Sequence, residues 1–302
     1  MSIRNAINDG TANAPRLELQ QSWWAMIGLG ENGKEWSMEQ KFEKIAEAGY
    51  SAISAVMPPL EEAEKWQRLL ERYKLGFNTM AFPTKIEDIR TVLEQIRQFG
   101  PVQYLNLQVM DGFVIGNEAI ELLSGLLAEA KAAGMPTFVE THRGTVTQDL
   151  IRTGQYVGAL PDLRLTIDLS HYIVAGELNG PLDKAELIFD ALLERTSCLH
   201  ARVSNGEQVQ VDVGPAGDHP MLPNFERWWR KGMTSWLQQA KPGDVLPFVT
   251  ELGPPGYYAV TKRDAVSGQE LEVSDRWQQA LLFKGIAEAQ WQRAVAEHNQ
   301  RK

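Results

Sequence analysis

Eight short apolar runs alternate with eight helix-patterned stretches, and this alternation constrains the fold more than any other feature of the chain. Strands are predicted over 22–27, 50–57, 75–82, 103–110, 137–141, 163–169, 198–203 and 246–252. A helix is predicted after each; the first is opened by a Ser37–Gln40 capping box, carries Phe42, Ile45, Ala46 and Ala48 at helical spacing, and stops at Gly49. Strict strand–helix alternation implies parallel strands joined by helical crossovers, and eight such units close into a barrel. The strands are short and apolar, as expected when both faces are covered. The 302 residues contain no linker or low-complexity segment. The expected fold is therefore α/β, a single-domain (β/α)8 TIM barrel over 21–302 that ends in a helix over about 274–298, with an open doubly wound sheet as runner-up. Residues 1–20 are polar, contain Pro15, and are expected to form a flexible arm.

Composition excludes several classes of partner. The formal charge of −9 makes nucleic acid an unexpected ligand. No apolar run approaches the roughly 20 residues of a membrane span, and the N-terminus lacks an apolar signal core, so a cytoplasmic location is expected. Cys198 is the one cysteine, which rules out an intramolecular disulfide and reads as an inert, packed thiol. A homo-oligomer is compatible with the sequence.

Four predicted strand ends carry an acid or an imidazole. Glu140 closes Thr137-Phe138-Val139-Glu140, Asp168 ends the sixth strand, His200 follows Ser197-Cys198-Leu199, and Glu251 closes Phe248-Val249-Thr250-Glu251. In a parallel barrel these ends share one face, where enzyme sites of this architecture lie. An ionised carboxylate at an apolar strand end costs several kcal/mol unless it is paired or metal-bound. The set therefore predicts an enzyme holding one divalent ion. Oxygen donors with one imidazole favour Mn²⁺, with Mg²⁺, Co²⁺ and Zn²⁺ also compatible. Around it, His171, His142, Arg202 and His219 are candidate substrate contacts. Trp23 and Trp24 face opposite sides of the first predicted strand, so one of them, with Trp23 the named candidate, could stack on a sugar ring, and Tyr257 and Tyr258 either border the site or cover the rim. Gly28-Leu29-Gly30-Glu31-Asn32-Gly33 matches a dinucleotide fingerprint only in letters, because the helix cap falls later, at Ser37, and 51–57 contains no acid.

With these motifs the chain resembles the xylose isomerase-like barrel superfamily of sugar isomerases and epimerases. The likeness rests on Val139-Glu140-Thr141-His142-Arg143, Asp168-Leu169-Ser170-His171 with Gly176-Glu177, His200, and Thr250-Glu251-Leu252-Gly253-Pro254-Pro255-Gly256-Tyr257. It implies that Glu140, Asp168, His200 and Glu251 bind one metal, that Glu140 and Glu251 act as acid and base, and that His171 contacts substrate. The implied reaction is proton abstraction α to the carbonyl of a sugar or keto-sugar through an enediolate, giving epimerisation or isomerisation. A dehydratase or lyase acting on a keto-sugar or inosose is the alternative. A phosphodiesterase of the endonuclease type is further off: no histidine precedes His142, and Met80 and Gln108 stand where additional metal-binding histidines would be needed.

Overall fold

The computed structural model describes residues 5–31 and 33–300. Eight parallel strands close into a barrel: β1 (Arg16–Ser22), β2 (Ala52–Val56), β3 (Gly76–Ala81), β4 (Leu105–Leu107), β5 (Thr137–Glu140), β6 (Leu165–Ile167), β7 (Thr196–Ala201) and β8 (Val245–Thr250). Closure comes from β8 pairing with β1, Val249 beside Gln20. Among the described residues the helices are α1 (Met38–Glu47), α2 (Leu60–Tyr73), α3 (Ile86–Phe99), α4 (Gly116–Ala132), α5 (Leu150–Ala159), α6 (Ser170–Ala175), α7 (Asp183–Leu193), α8 (Leu222–Leu237) and α9 (Arg276–Gln300). None of them is long and apolar enough to cross a membrane.

Alternate residues of a strand face opposite sides, and this separates two cores. Leu19, Ile53, Phe77, Leu105, Leu199 and Phe248 pack outward in the large apolar layer beneath the helices. Tyr104, Phe138, Cys198 and Val249 point inward and form a small core with Ile7 and Val245. Cys198 is fully buried there.

The first strand lies six residues earlier than the apolar pattern predicts. The run expected as a strand over 22–27 contains a 3-10 turn, Trp24–Met26. The true strand is polar on its inner face, and Glu18 and Gln20 are buried. Their groups satisfy one another: Gln20 Nε2 donates to Glu18 Oε1, Gln103 Nε2 donates to the same oxygen, and Asn78 and Tyr104 donate to Gln20 Oε1. A paired polar layer can be buried where an unpaired one could not, so hydrophobicity does not mark this strand.

The expected arm is corrected with it. Residues 1–4 lie outside the described residues, but 16–20 are barrel wall, and the stretch before them closes the bottom of the barrel. Ile7 enters the inner core at 7% exposure. The Asn5 side chain accepts from Thr137 N and donates to Thr137 O, while Val245 N donates to Ile7 O. Ile7→Ala is therefore expected to destabilise the protein by about 2–4 kcal/mol, measured by urea unfolding. A loss under about 0.5 kcal/mol, the scale of a surface substitution, would show that the segment does not pack.

Smaller differences have local causes. Ser37 and Gln40 form the expected reciprocal cap of α1. The fifth helix starts later than expected because Asp149 caps it, accepting from Arg152 N. The short α6 was not anticipated: the chain turns into it immediately after Asp168. In the glycine-rich stretch, Gly30–Glu31 pairs antiparallel with Lys34–Glu35 as a small hairpin, so no helix starts inside the motif; Asn32 lies outside the described residues.

Candidate metal centre

Strand parity decides which side chains meet. Phe138 faces the barrel interior, so Glu140, two residues on, faces it too. The same step leads from Thr166 to Asp168, from Cys198 to His200 and Arg202, and from Val249 to Glu251. One donor atom from each of Glu140, Asp168, His200 and Glu251 lies within 4.8 Å of the other three. His200 Nδ1 is 3.4 Å from Glu140 Oε1 and 3.0 Å from Glu251 Oε2. All four are buried; Glu251 is the most exposed, at 4%.

Neighbouring groups fix each carboxylate. Glu140 Oε2 accepts from Asn106 Nδ2 at 2.6 Å and Gln108 Nε2 at 3.0 Å, which leaves Oε1 buried without a hydrogen-bond partner. Asp168 Oδ1 accepts from the Ser170 backbone and hydroxyl, and Oδ2 accepts from Arg202 Nη1 at 2.9 Å. Burial works to raise the Glu140 carboxyl, but the charges of His200 and His142 and the bond from Gln108 hold it at about 2. Asp168 is raised by burial, against the pull of Arg202. Burial would depress His200, yet Glu251 and Glu140 push it well above the ordinary imidazole range. His171 is pushed well below that range by burial and then by its neighbours His142, Arg202 and Arg143.

Arg202 reaches the cluster as expected but has no donor to spare. Nε donates to Glu251 O, Nη1 to Asp168 Oδ2 and His171 Nε2, and Nη2 to Glu251 O and Glu251 Oε2. That accounts for all five guanidinium N–H bonds, leaving none for a substrate oxyanion. The rings of His142 and His171 are tilted by 47° with centroids 3.9 Å apart, and Glu140, His142 and His171 also bring donor atoms within 4.8 Å of one another. Trp23 does not join the site: its ring packs against Phe42 of α1 and Trp66 of α2. His219 is elsewhere too, lining a small cavity with Asp212 and Gln208, its Nδ1 accepting from Met221 N.

Tyr258 roofs the cluster. Its hydroxyl lies 3.3 Å from His142 Nε2, and Arg202 and Arg143 stand 4.7 and 4.6 Å from its ring centroid. Trp24 meets both Tyr257 and Tyr258 edge-on. Gly253 permits this closure: a Cβ there would fall 2.6 Å from Trp24 and 2.8 Å from Tyr258. Gln210 clamps the Gly253 backbone at both N and O. A cavity of about 780 Å³ opens at the other end of the barrel, lined in part by Asn5, Thr137 and Arg164, and includes none of the cluster. Nothing in the sequence announces the hydrogen bonds of Ser170 to Asp168. Asn106 and Gln108 did leave a trace, as alternate polar residues in an apolar strand.

The donor set fits a hard divalent ion. Ligands about 2.1 Å from one ion stand up to about 4 Å apart, close to the observed span. Three carboxylates against the Arg202 guanidinium leave two negative charges, which one dication balances, and Glu140 Oε1 is a buried acceptor left unpaired beside His200. No family model and no curated protein matches the chain. Among solved structures it is similar to a xylose isomerase-like TIM barrel protein from Mycobacterium smegmatis in complex with magnesium (13% identity, 94% of this chain and 97% of that one, TM-score 0.56). It is also similar to a D-psicose 3-epimerase with D-tagatose from Clostridium cellulolyticum H10 (10% identity, 94% and 98%, TM-score 0.51), and to an AP endonuclease, family 2, from Brucella melitensis (14% identity, 79% and 94%, TM-score 0.52). At these identities the likeness is one of fold: the chain shares the closed eight-stranded parallel barrel of these proteins.

Proposed function

We propose that the protein is a divalent-metal-dependent isomerase or epimerase that moves a proton α to the carbonyl of a keto-sugar. The observation that carries this reading is the pair of buried carboxylates, Glu140 and Glu251, both within 3.4 Å of the same imidazole nitrogen of His200. Glu140, Asp168, His200 and Glu251 would hold the ion, with Mn²⁺ favoured by the mixed oxygen and nitrogen donors. When bound, the ion supplies a Lewis acid that polarises the substrate carbonyl and acidifies the adjacent C–H.

The remaining work falls to this chain's own groups. One glutamate takes the proton from carbon and the other returns one, to the opposite face for epimerisation or to the neighbouring carbon for isomerisation. Glu140 suits the base role because its Oε1 is a buried carboxylate oxygen with no hydrogen-bond partner, facing His200. His171 Nε2 accepts from Arg202, so the ring proton sits on Nδ1, a buried donor without a partner in the protein. That N–H is placed to bind a substrate hydroxyl or carbonyl oxygen. Arg202 acts as a positioning residue that aligns Asp168, Glu251 and His171. Tyr258 must swing aside for substrate to enter, and its return excludes water.

Solvent deuterium should enter one or more of a panel of keto-sugars when the Mn²⁺-loaded protein is present, at the carbon next to the carbonyl. Glu251→Gln should lower that incorporation by roughly 10²–10⁴-fold. Incorporation at the wild-type rate in Glu251→Gln would remove that residue from the acid–base pair. Absence of exchange across the panel, with metal bound, would count against proton transfer.

A further inference from the structure

Two arginines flank the ring of Tyr258, and they differ in one respect. Arg202 is buried and all its donors are satisfied. Arg143 makes no side-chain hydrogen bond and no ion pair among the described residues; its guanidinium lies 4.6 Å from the centroid of Tyr258 and has no other partner. What distinguishes it is its place. It sits half-buried three residues after Glu140, beside the roof, close enough that its charge acts on both His171 and Tyr258.

Charge balance gives this contrast its meaning. With one dication, the three carboxylates and Arg202 sum to zero. Arg143 is then an uncompensated cation at the edge of a roofed, low-dielectric site, where an unpaired charge is costly. A neutral sugar leaves that cation unmatched when the roof closes. A substrate bearing a carboxylate matches it, and the planar guanidinium offers parallel N–H bonds to a carboxylate's two oxygens. The attraction of Tyr258 for the guanidinium acts through the ring's π system and uses none of its N–H bonds, which have no partner among the described residues. Resting on the reaction proposed above for the same site, we propose that Arg143 is the receptor for a carboxylate on the substrate, so that the substrate is a keto-sugar acid. The substrate contact expected of Arg202 passes to Arg143.

Calorimetric binding to the Mn²⁺-loaded full chain tests this with three probes of one skeleton: D-fructose, D-fructuronate and D-fructose 6-phosphate. The expected result is D-fructuronate bound at least 10-fold more tightly than D-fructose. Arg143→Gln should erase that preference with metal content unchanged, and Arg143→Lys should retain part of it, keeping the charge without the fork. The proposal is overturned if D-fructuronate binds no better than D-fructose, if the preference survives in Arg143→Gln, or if the phosphate ester is the tightest ligand. The outcome is separable from that of the reaction itself: Arg143-dependent binding of D-fructuronate without α-proton exchange would sink the isomerase reading and keep the carboxylate receptor. Exchange into neutral sugars with no such preference would do the reverse.

Discussion

Glu140→Gln is expected to abolish α-proton exchange, with a loss of at least about 10³-fold, and to strip the protein of its divalent ion while leaving it folded. The size of the effect follows from hydrogen-bond polarity rather than from charge alone. Asn106 and Gln108 both donate to Oε2 of the native carboxylate. In the variant those two donors select the amide oxygen, which forces the amide NH₂ into the position now held by Oε1. That position is 3.4 Å from His200 Nδ1 and faces the other ligands. A donor group then stands where a cation has to be bound, so one isosteric change removes a ligand, a base and half the site's excess negative charge. Metal content by atomic emission, exchange by NMR and thermal unfolding check the three parts separately. A variant that keeps its metal and its exchange would mean that Glu140 lies outside the reaction centre.

Why this site could be read in the sequence, and other parts could not, is a question of where each signal resides. Strands five to eight are apolar runs ending in a single acid or imidazole, and the period of two places those ends inside the barrel without further information. The first strand defeats the same logic. Its inner face is Glu18 and Gln20, satisfied by Asn78, Gln103 and Tyr104 from β3 and the β4 region, and local sequence gives no warning that polar side chains will be paired across the barrel. The neighbouring Trp-Trp-Ala-Met-Ile run is more hydrophobic but turns over the rim, which also sends Trp23 toward α1 and α2 and leaves Trp24 to the roof. The roof depends on long-range contacts alone. Nothing near Gly253 in the chain announces that Trp24 must lie against it, and only the missing Cβ permits the approach. Parity places Arg202 on the inner face beside His200, but whether its donors are free or spent depends on three other segments.

That spent arginine gives the second large effect. Arg202→Met is expected to destabilise metal-free protein by about 3–5 kcal/mol, the cost of breaking a buried ion pair from one side. Asp168 and Glu251 lose their shared counter-ion, and His171 Nε2 loses its donor. Methionine fills much of the same volume, so the loss reports charge more than a cavity. A dication bound to the same carboxylates can replace the missing positive charge, and the more negative variant site should attract it more strongly. Adding Mn²⁺ should therefore raise the unfolding midpoint of Arg202→Met by more than it raises that of the wild type, since stabilisation by a ligand grows with its affinity for the native state. If Arg202 served only to align the ligands, the variant would instead lose both its stability and its response to metal. Urea unfolding with chelator and then with Mn²⁺, for both proteins, separates a counter-ion from a scaffold. In the wild type Arg202 is the counter-ion that Asp168 and Glu251 share, so a dication would compete with it for the same oxygens.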